Sequence, residues 1–201
     1  MTRLVIVRHG NTFEAGETPR RIGARTDLPL TEAGIEQARA LGFHFARNRV
    51  AFDRVLSGPL LRTRHTASEI VDKEPETAAF LTEIDHGPDE NQPEDAVVAR
   101  IGREALENWE RALVAPPGWD TGAEWRIAAW RELALAADGT ILCVTSNGAA
   151  RFALAALGLM GDDGAARLRT GSYGVIEIHG SRARLAGWDV RPGEPGDRGL
   201  F

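Results

Sequence analysis

The residues best suited to do chemistry stand near the start of the chain. Arg8-His9-Gly10 closes a short apolar run, Arg3-Leu4-Val5-Ile6-Val7. A histidine and a fixed cation are thus delivered together at the end of a strand. A neutral imidazole in such a place is a competent nucleophile toward phosphorus. The adjacent guanidinium suits a bidentate contact with an anion, and the glycine lets a ligand approach the backbone closely. Further polar clusters follow in order. Thr26-Asp27-Leu28-Pro29-Leu30-Thr31-Glu32-Ala33-Gly34 precedes Gln37-Ala38, then come Ser57 and Leu61-Arg62-Thr63-Arg64-His65-Thr66-Ala67. Late in the chain, Ser146-Asn147-Gly148 follows another strongly apolar segment.

Elements must hold these residues together. Residues 3–7, 53–57 and 140–145 read as buried strands, and 77–81 as a weaker one. Thr31 is placed to N-cap a helix running to Arg47, and Pro59 fits the first turn of a helix running to Asp72. Residues 94–113 and 123–137 read as helices separated by Ala115-Pro116-Pro117-Gly118. A helix to Leu157 follows Ser146, Gly161–Gly164 reads as a loop, and residues 173–179 and 182–188 form a hairpin around Gly180-Ser181. The expected fold is an α/β three-layer sandwich, with a mostly parallel central sheet flanked by helices and an antiparallel edge. Ligands of such sheets bind beyond the carboxyl ends of the strands, where Arg8-His9-Gly10, Ser57 and Ser146-Asn147-Gly148 fall.

Composition narrows the function. The 201 residues carry 24 Lys+Arg against 29 Asp+Glu, a net of -5, which speaks against a nucleic-acid binder. The charge is uneven: residues 1–72 are net +3, 73–139 net -9 and 140–201 net +1. All but one of the basic residues are Arg. The longest stretch without a charged residue, Gly139–Ala150, is 12 residues, short of the ~20 of a membrane span. The single cysteine, Cys143, fits a reducing compartment, so the expected location is cytoplasmic. No G-x-G, Gly-Lys phosphate loop, G-x-S-x-G, C-x-x-C or H-E-x-x-H occurs. Neither a nucleotide fingerprint nor a metal site is therefore expected. The acids Asp85, Asp89, Glu90, Glu94 and Asp95 read as a solvated loop.

With these residues in order, the sequence resembles the histidine phosphatase superfamily, which includes the phosphoglycerate mutases. Arg8, His9, Gly10 and Thr12 match its R-H-G-x-T. Asp27, Pro29, Leu30, Thr31, Gly34, Gln37 and Ala38 match its D-x-P-L-T-x-x-G-x-x-Q-A. Ser57, Arg62, Thr66 and Ala67 match the third segment. The resemblance covers about residues 3–188. It implies a phosphohistidine formed on His9, with Arg8 and Arg62 clamping the phosphoryl oxygens and Thr12 close by. It also implies an acid/base carboxyl in an L-x-E segment, which Leu81-Thr82-Glu83 fits. No metal or cofactor is required, and the partner is a small phosphorylated substrate. Arg21 and Arg25 lie in the loop that rims the pocket in this family, and His86 lies near Glu83. Residues 84–138 are expected as a helical cap-like insertion in a single domain spanning 1–201. The fold often leaves a dimerising edge, which keeps a homodimer open.

Two positions depart from the family pattern. Its second histidine, in [ST]-H-G-G, is replaced by Ser146 in Thr145-Ser146-Asn147-Gly148, and an asparagine six residues after the nucleophile is replaced by Ala15. Ser146 or Asn147 is left to donate a neutral hydrogen bond to phosphate. The expected activity is metal-independent phosphomonoester hydrolysis. The alternatives are a catalytically weak phosphate-binding protein on the same fold and a mutase-type phosphotransferase.

Overall fold

The computed structural model describes residues 1–161, 166–197 and 200–201; beyond Gly161, the loop expected at 161–164 lies outside the described residues. Six strands form one sheet: β1 (Thr2–Arg8), β2 (Arg54–Ser57), β3 (Glu76–Thr77), β4 (Gly139–Thr145), β5 (Tyr173–His179) and β6 (Arg182–Val190). Their order is β3-β2-β4-β1-β5-β6. The first four in that order run parallel, and the β5–β6 hairpin adds two antiparallel strands beside β1. The helices are α1 (Glu32–Arg47), α2 (Leu61–Ile70), α3 (Glu94–Ile101), α4 (Arg103–Ala112), α5 (Ala123–Ala136) and α6 (Asn147–Ala156).

Strand periodicity explains the three layers. Successive side chains of a strand point to opposite faces, and every strand near the sheet centre is apolar on both. Leu4, Ile6, Ile141, Cys143 and Ile176 face one core, closed by Trp130 of α5 and Phe152 of α6. Val5, Val7, Leu142, Val144 and Val175 face the other, closed by Leu41 and Phe45 of α1 and by Ala67 and Ile70 of α2. A sheet buried on both faces reads as continuous apolar runs, which is why β1 and β4 stand out in the sequence. Among the described residues, no helix is long and apolar enough to cross a membrane.

Register then sets the site. Arg8 lies opposite Thr145, and Ser57 opposite Val144. The carboxyl ends of β1, β2 and β4 are therefore level, and His9 after β1 and Asn147 after β4 open into one crevice, which Ser57 after β2 does not reach.

Four local expectations are corrected. The helix expected over 94–113 is broken at Gly102, whose φ of 81° and ψ of 156° are not helical. The strand expected over 77–81 is reduced to Glu76–Thr77 beside β2, and Ala79–Leu81 coils into a 3-10 turn. That turn swings the chain back under α5, where Phe80 packs edge-on against Trp130. Pro59 lies ahead of α2 rather than in its first turn, since Leu60 is the cap residue. The last strand continues to Val190, two residues past the expected end.

Candidate active site

His9 leaves β1 with its backbone fixed, its N–H donating to Thr145 O at 3.0 Å. The side chain is almost fully buried. Its Nδ1 lies 2.8 Å from Gly10 O. A carbonyl accepts only from a protonated ring nitrogen, so the neutral ring carries its proton on Nδ1 and leaves the Nε2 lone pair free. Burial, and after it the charges of Arg62 and Arg8, hold the imidazole well below its ordinary 6.5. The ring is thus neutral, correctly tautomerised and nucleophilic.

The family motifs turn out to be the mounting of this residue. Thr31 caps α1, its Oγ1 accepting Gly34 N–H at 3.2 Å. Asp27 Oδ1 accepts Leu61 N–H at 2.8 Å, which satisfies a free donor at the start of α2. Gln37 Oε1 accepts Asn11 N–H at 2.9 Å and ties the loop after His9 to α1. Thr66 Oγ1 accepts Gly10 N–H at 3.1 Å from the α2 side. Gly10 and Gly34 are both required there, because a Cβ on Gly10 would stand 2.2 Å from Gly34 O and one on Gly34 would stand 2.2 Å from Asn11 O.

Two cations flank the ring. Arg8 Nη1 donates to Leu168 O at 2.7 Å, and burial lowers the guanidinium to about 10, so it stays charged at neutral pH. Arg62, fully buried on α2, donates to Thr26 O at 2.7 Å and Gly23 O at 3.1 Å, leaving its Nε without a partner. Glu83 is buried on the other side. Its Oε1 accepts Ile84 N–H at 2.9 Å and its Oε2 accepts Gly148 N–H at 3.1 Å. A Cβ on Gly148 would stand 2.3 Å from Glu83 Oε1 and would push the carboxylate aside. Arg126 of α5 grips the same segment, donating to Phe80 O at 2.8 Å and also to Thr82 O.

These groups open into one cavity of about 630 Å³. Of the residues expected from sequence, Arg8, His9, Thr12 and Glu83 line it, together with Arg21, His86 and Asn147. Three do not. Arg62 acts on His9 by its charge from beneath the cavity wall. Ser146 is fully buried with its Oγ unpartnered, and although it is the N-cap residue of α6, its side chain makes no capping bond. Arg25 faces away, paired with Asp85 at 3.0 Å. Arg21 is held by Glu94 at 2.8 Å and lies over the Trp119 ring. His86 is sandwiched between Trp119, 4.6 Å away by ring centres, and the Glu90 carboxylate, 3.7 Å from its Nδ1.

The acidic loop is solvated only in part: Glu94 and Asp95 are exposed as expected, but Asp89 and Glu90 are turned inward. Asp89 is 1% exposed and accepts from Arg100 and from Trp119 Nε1 at 2.6 Å. Glu90 Oε1 accepts Gly23 N–H at 2.7 Å and Thr26 Oγ1–H at 2.6 Å, and its Oε2 accepts His86 N–H at 3.3 Å. Gly23 and Thr26 are the residues whose carbonyls hold Arg62. The sequence carries no signal of this, because most of the partners, from Gly23 and Thr26 to Trp119, lie far along the chain. Trp109, Glu110 and Arg167 also reach the cavity without having been expected there.

The profile of the histidine phosphatase superfamily (branch 1) matches residues 4–191. The chain belongs to the histidine phosphatase superfamily. A 2,3-bisphosphoglycerate-dependent phosphoglycerate mutase of Sinorhizobium fredii is 31% identical over 160 residues, 69% of this chain and 75% of that enzyme. Another, of Rhizobium etli, is 31% identical over 123 residues, 58% of each chain. The match spans about three fifths of the length of such curated relatives. The solved structure of a putative alpha-ribazole-5'-P phosphatase of Escherichia coli superposes with a TM-score of 0.76 at 25% identity, over 94% of this chain and 97% of that one. A mycobacterial glucosyl-3-phosphoglycerate phosphatase shares the fold, with a TM-score of 0.77 at 22% identity over 93% and 98%.

Proposed function

We propose that the chain hydrolyses a phosphomonoester through a phosphohistidine on His9, without a metal ion. The observation that carries this reading is the state of His9: its Nδ1 is engaged by Gly10 O, and its neutral Nε2 sits in a cavity shared with Arg8 and Glu83. In the first step the Nε2 lone pair forms a bond to phosphorus as the ester P–O bond breaks. Glu83 gives a proton to the departing oxygen. In the second step Glu83 takes a proton from water, whose oxygen attacks phosphorus and releases His9. Arg8 and Arg62 offset the charge that spreads over the phosphoryl oxygens.

Hydrolysis is preferred to mutase chemistry because a mutase has to keep the phosphohistidine from water. Here Glu14, Ala15 and Pro19 form an exposed stretch of the cavity rim. Residues 84–138 are read as a cap, in keeping with Trp109 and Glu110 reaching the cavity. The lone buried Cys143 is in keeping with a cytoplasmic location. A second reading, a phosphate-binding protein with little turnover, is favoured by the loss of the second histidine at Ser146. The test is hydrolysis of an aryl phosphate by the wild type and by His9→Ala, with trapping of an acid-labile phosphoryl label on the protein. Turnover and label that both vanish in His9→Ala support the hydrolase. A wild type no faster than the mutant across a broad panel of phosphate esters overturns it.

A further inference from the structure

We propose that the side-chain amide nitrogen of Asn147 donates to the phosphoryl group in place of the second histidine, while Ser146, which holds that histidine's place in the chain, does not touch substrate. The inference rests on the phosphohistidine reading above and names a further residue of that site.

Ser146 fails on position. It is fully buried, its Oγ has no partner, and it forms no part of the cavity wall. Asn147, the first residue of α6, is half-buried on that wall beside Arg8, His9 and Glu83. Its orientation is forced. Oδ1 lies 2.8 Å from Leu168 N, and only the carboxamide oxygen can accept from a backbone N–H. Nδ2 is therefore turned away from Leu168, and it has no acceptor among the described residues.

The same peptide sets the neighbouring cation. Leu168 N–H holds Asn147, and Leu168 O accepts Arg8 Nη1 at 2.7 Å. The segment carrying Leu168 is itself pinned. Gly171 N–H reaches the carbonyls of Arg8 and His9 at 3.3 and 3.2 Å. Arg169 pairs with Asp189 at 2.7 Å, and Ser172 Oγ donates to Asp189 Oδ1 at 2.7 Å. One strap thus fixes a charged and a neutral donor, both on the cavity wall, and leaves the amide N–H groups of Asn147 free for a non-bridging phosphoryl oxygen. The first turn of a helix favours an anion at this point as well. Unlike an imidazole, this donor does not titrate.

The experiment compares the wild type with Asn147→Asp, Asn147→Ala and Ser146→Ala. Binding of inorganic phosphate is measured by calorimetry and aryl phosphate kinetics are followed, both as ratios to the wild type across pH. Asn147→Asp keeps an oxygen for Leu168 N–H and replaces only the donor, so the strap stays in place. The expected result at neutral pH is a loss of roughly 10²-fold in kcat, with weaker phosphate binding, for both Asn147 variants. In Asn147→Asp alone the loss shrinks toward acid, where the carboxyl regains a proton to donate. Ser146→Ala should bind phosphate as the wild type does. Unchanged phosphate affinity in Asn147→Asp, a loss that does not vary with pH, or a loss in Ser146→Ala overturns the proposal. A wild type that binds phosphate but turns over no ester removes the hydrolase reading while the binding ratios still decide on Asn147. A wild type that binds no phosphate removes both.

Discussion

Glu90 offers the sharpest test of how Arg62 is held. Burial alone would raise this carboxyl. Against that, the His86 ring and the donors of Thr26, Gly23 and His86 lower it from 4.5 to about 2. The His86 Nδ1 lies 3.7 Å from the carboxylate, too far for a hydrogen bond, so the backbone and Thr26 donors carry the shift and its size is an upper limit. At about 1.36 kcal/mol per pH unit, the gap between 4.5 and about 2 is an upper bound of about 3 kcal/mol. A lowered carboxyl stabilises the fold above its unfolded value and loses that contribution as pH falls. The full amount is therefore present at pH 7, roughly 1 kcal/mol remains at pH 3, and the rest goes near pH 2. Glu90→Gln removes the charge and turns an amide N–H₂ toward His86 N–H or Gly23 N–H, placing donor against donor. The expected cost is about 2–3 kcal/mol at pH 7, or on the order of 5–10 °C in melting temperature for a domain of this size. Activity should fall as well, because Gly23 O and Thr26 O would no longer hold Arg62 in place. Thermal melts of both proteins at pH 7 and pH 3, with kinetics at pH 7, make the measurement. A mutant that melts with the wild type at pH 7, or a gap that does not narrow at pH 3, refutes the reasoning.

Three further outcomes are expected. Gly148→Ala should lower kcat by about 10²-fold or more with a smaller change in KM, since the new Cβ would stand 2.3 Å from Glu83 Oε1; unchanged kcat would show that Glu83 is not fixed by that contact. The acid limb of kcat/KM should lie clearly below 6.5, because burial and two guanidinium groups keep His9 neutral; a limb at 6.5 set by His9 would contradict this. Asp27→Ala should destabilise by about 1 kcal/mol through loss of the α2 cap, seen in a denaturant midpoint, and a neutral result would show that water replaces the carboxylate.

How much of this was legible depends on how local the determining contact is. β1 and β4 show in the sequence because both faces of each are buried, so their apolar runs are unbroken. Thr31 and Gly34 show because a cap and its target lie three residues apart. The break at Gly102 was hidden because apolar periodicity continues through it, and only the positive φ ends the helix. The roles of Glu90 and Leu168 were hidden for another reason. An acid flanked by other acids reads as solvated until Gly23 and Thr26 are folded against it. A leucine carries no sign that its peptide, not its side chain, joins Arg8 to Asn147. Ser146 was legible as a substitution, but its burial away from the cavity was not.

The preference for arginine follows from the same contacts. Arg62, Arg126 and Arg151 are buried and Arg8 is half-buried, and each donates to backbone carbonyls: Arg8 to Leu168, Arg62 to Thr26 and Gly23, Arg126 to Phe80 and Thr82, and Arg151 to Glu110. Among the described residues none of the four is hydrogen-bonded to a carboxylate. A carbonyl satisfies a guanidinium N–H without cancelling its charge, so the positive field survives in the crevice. Glu83 is the carboxylate that all four feel. Lysine could not serve in these places, because a buried ammonium sheds its proton where a guanidinium keeps it. Even Arg8, lowered to about 10, remains cationic at pH 7. An acidic protein of net -5 thereby keeps a cationic interior beside His9, which holds the ring neutral and suits the crevice to an anionic group.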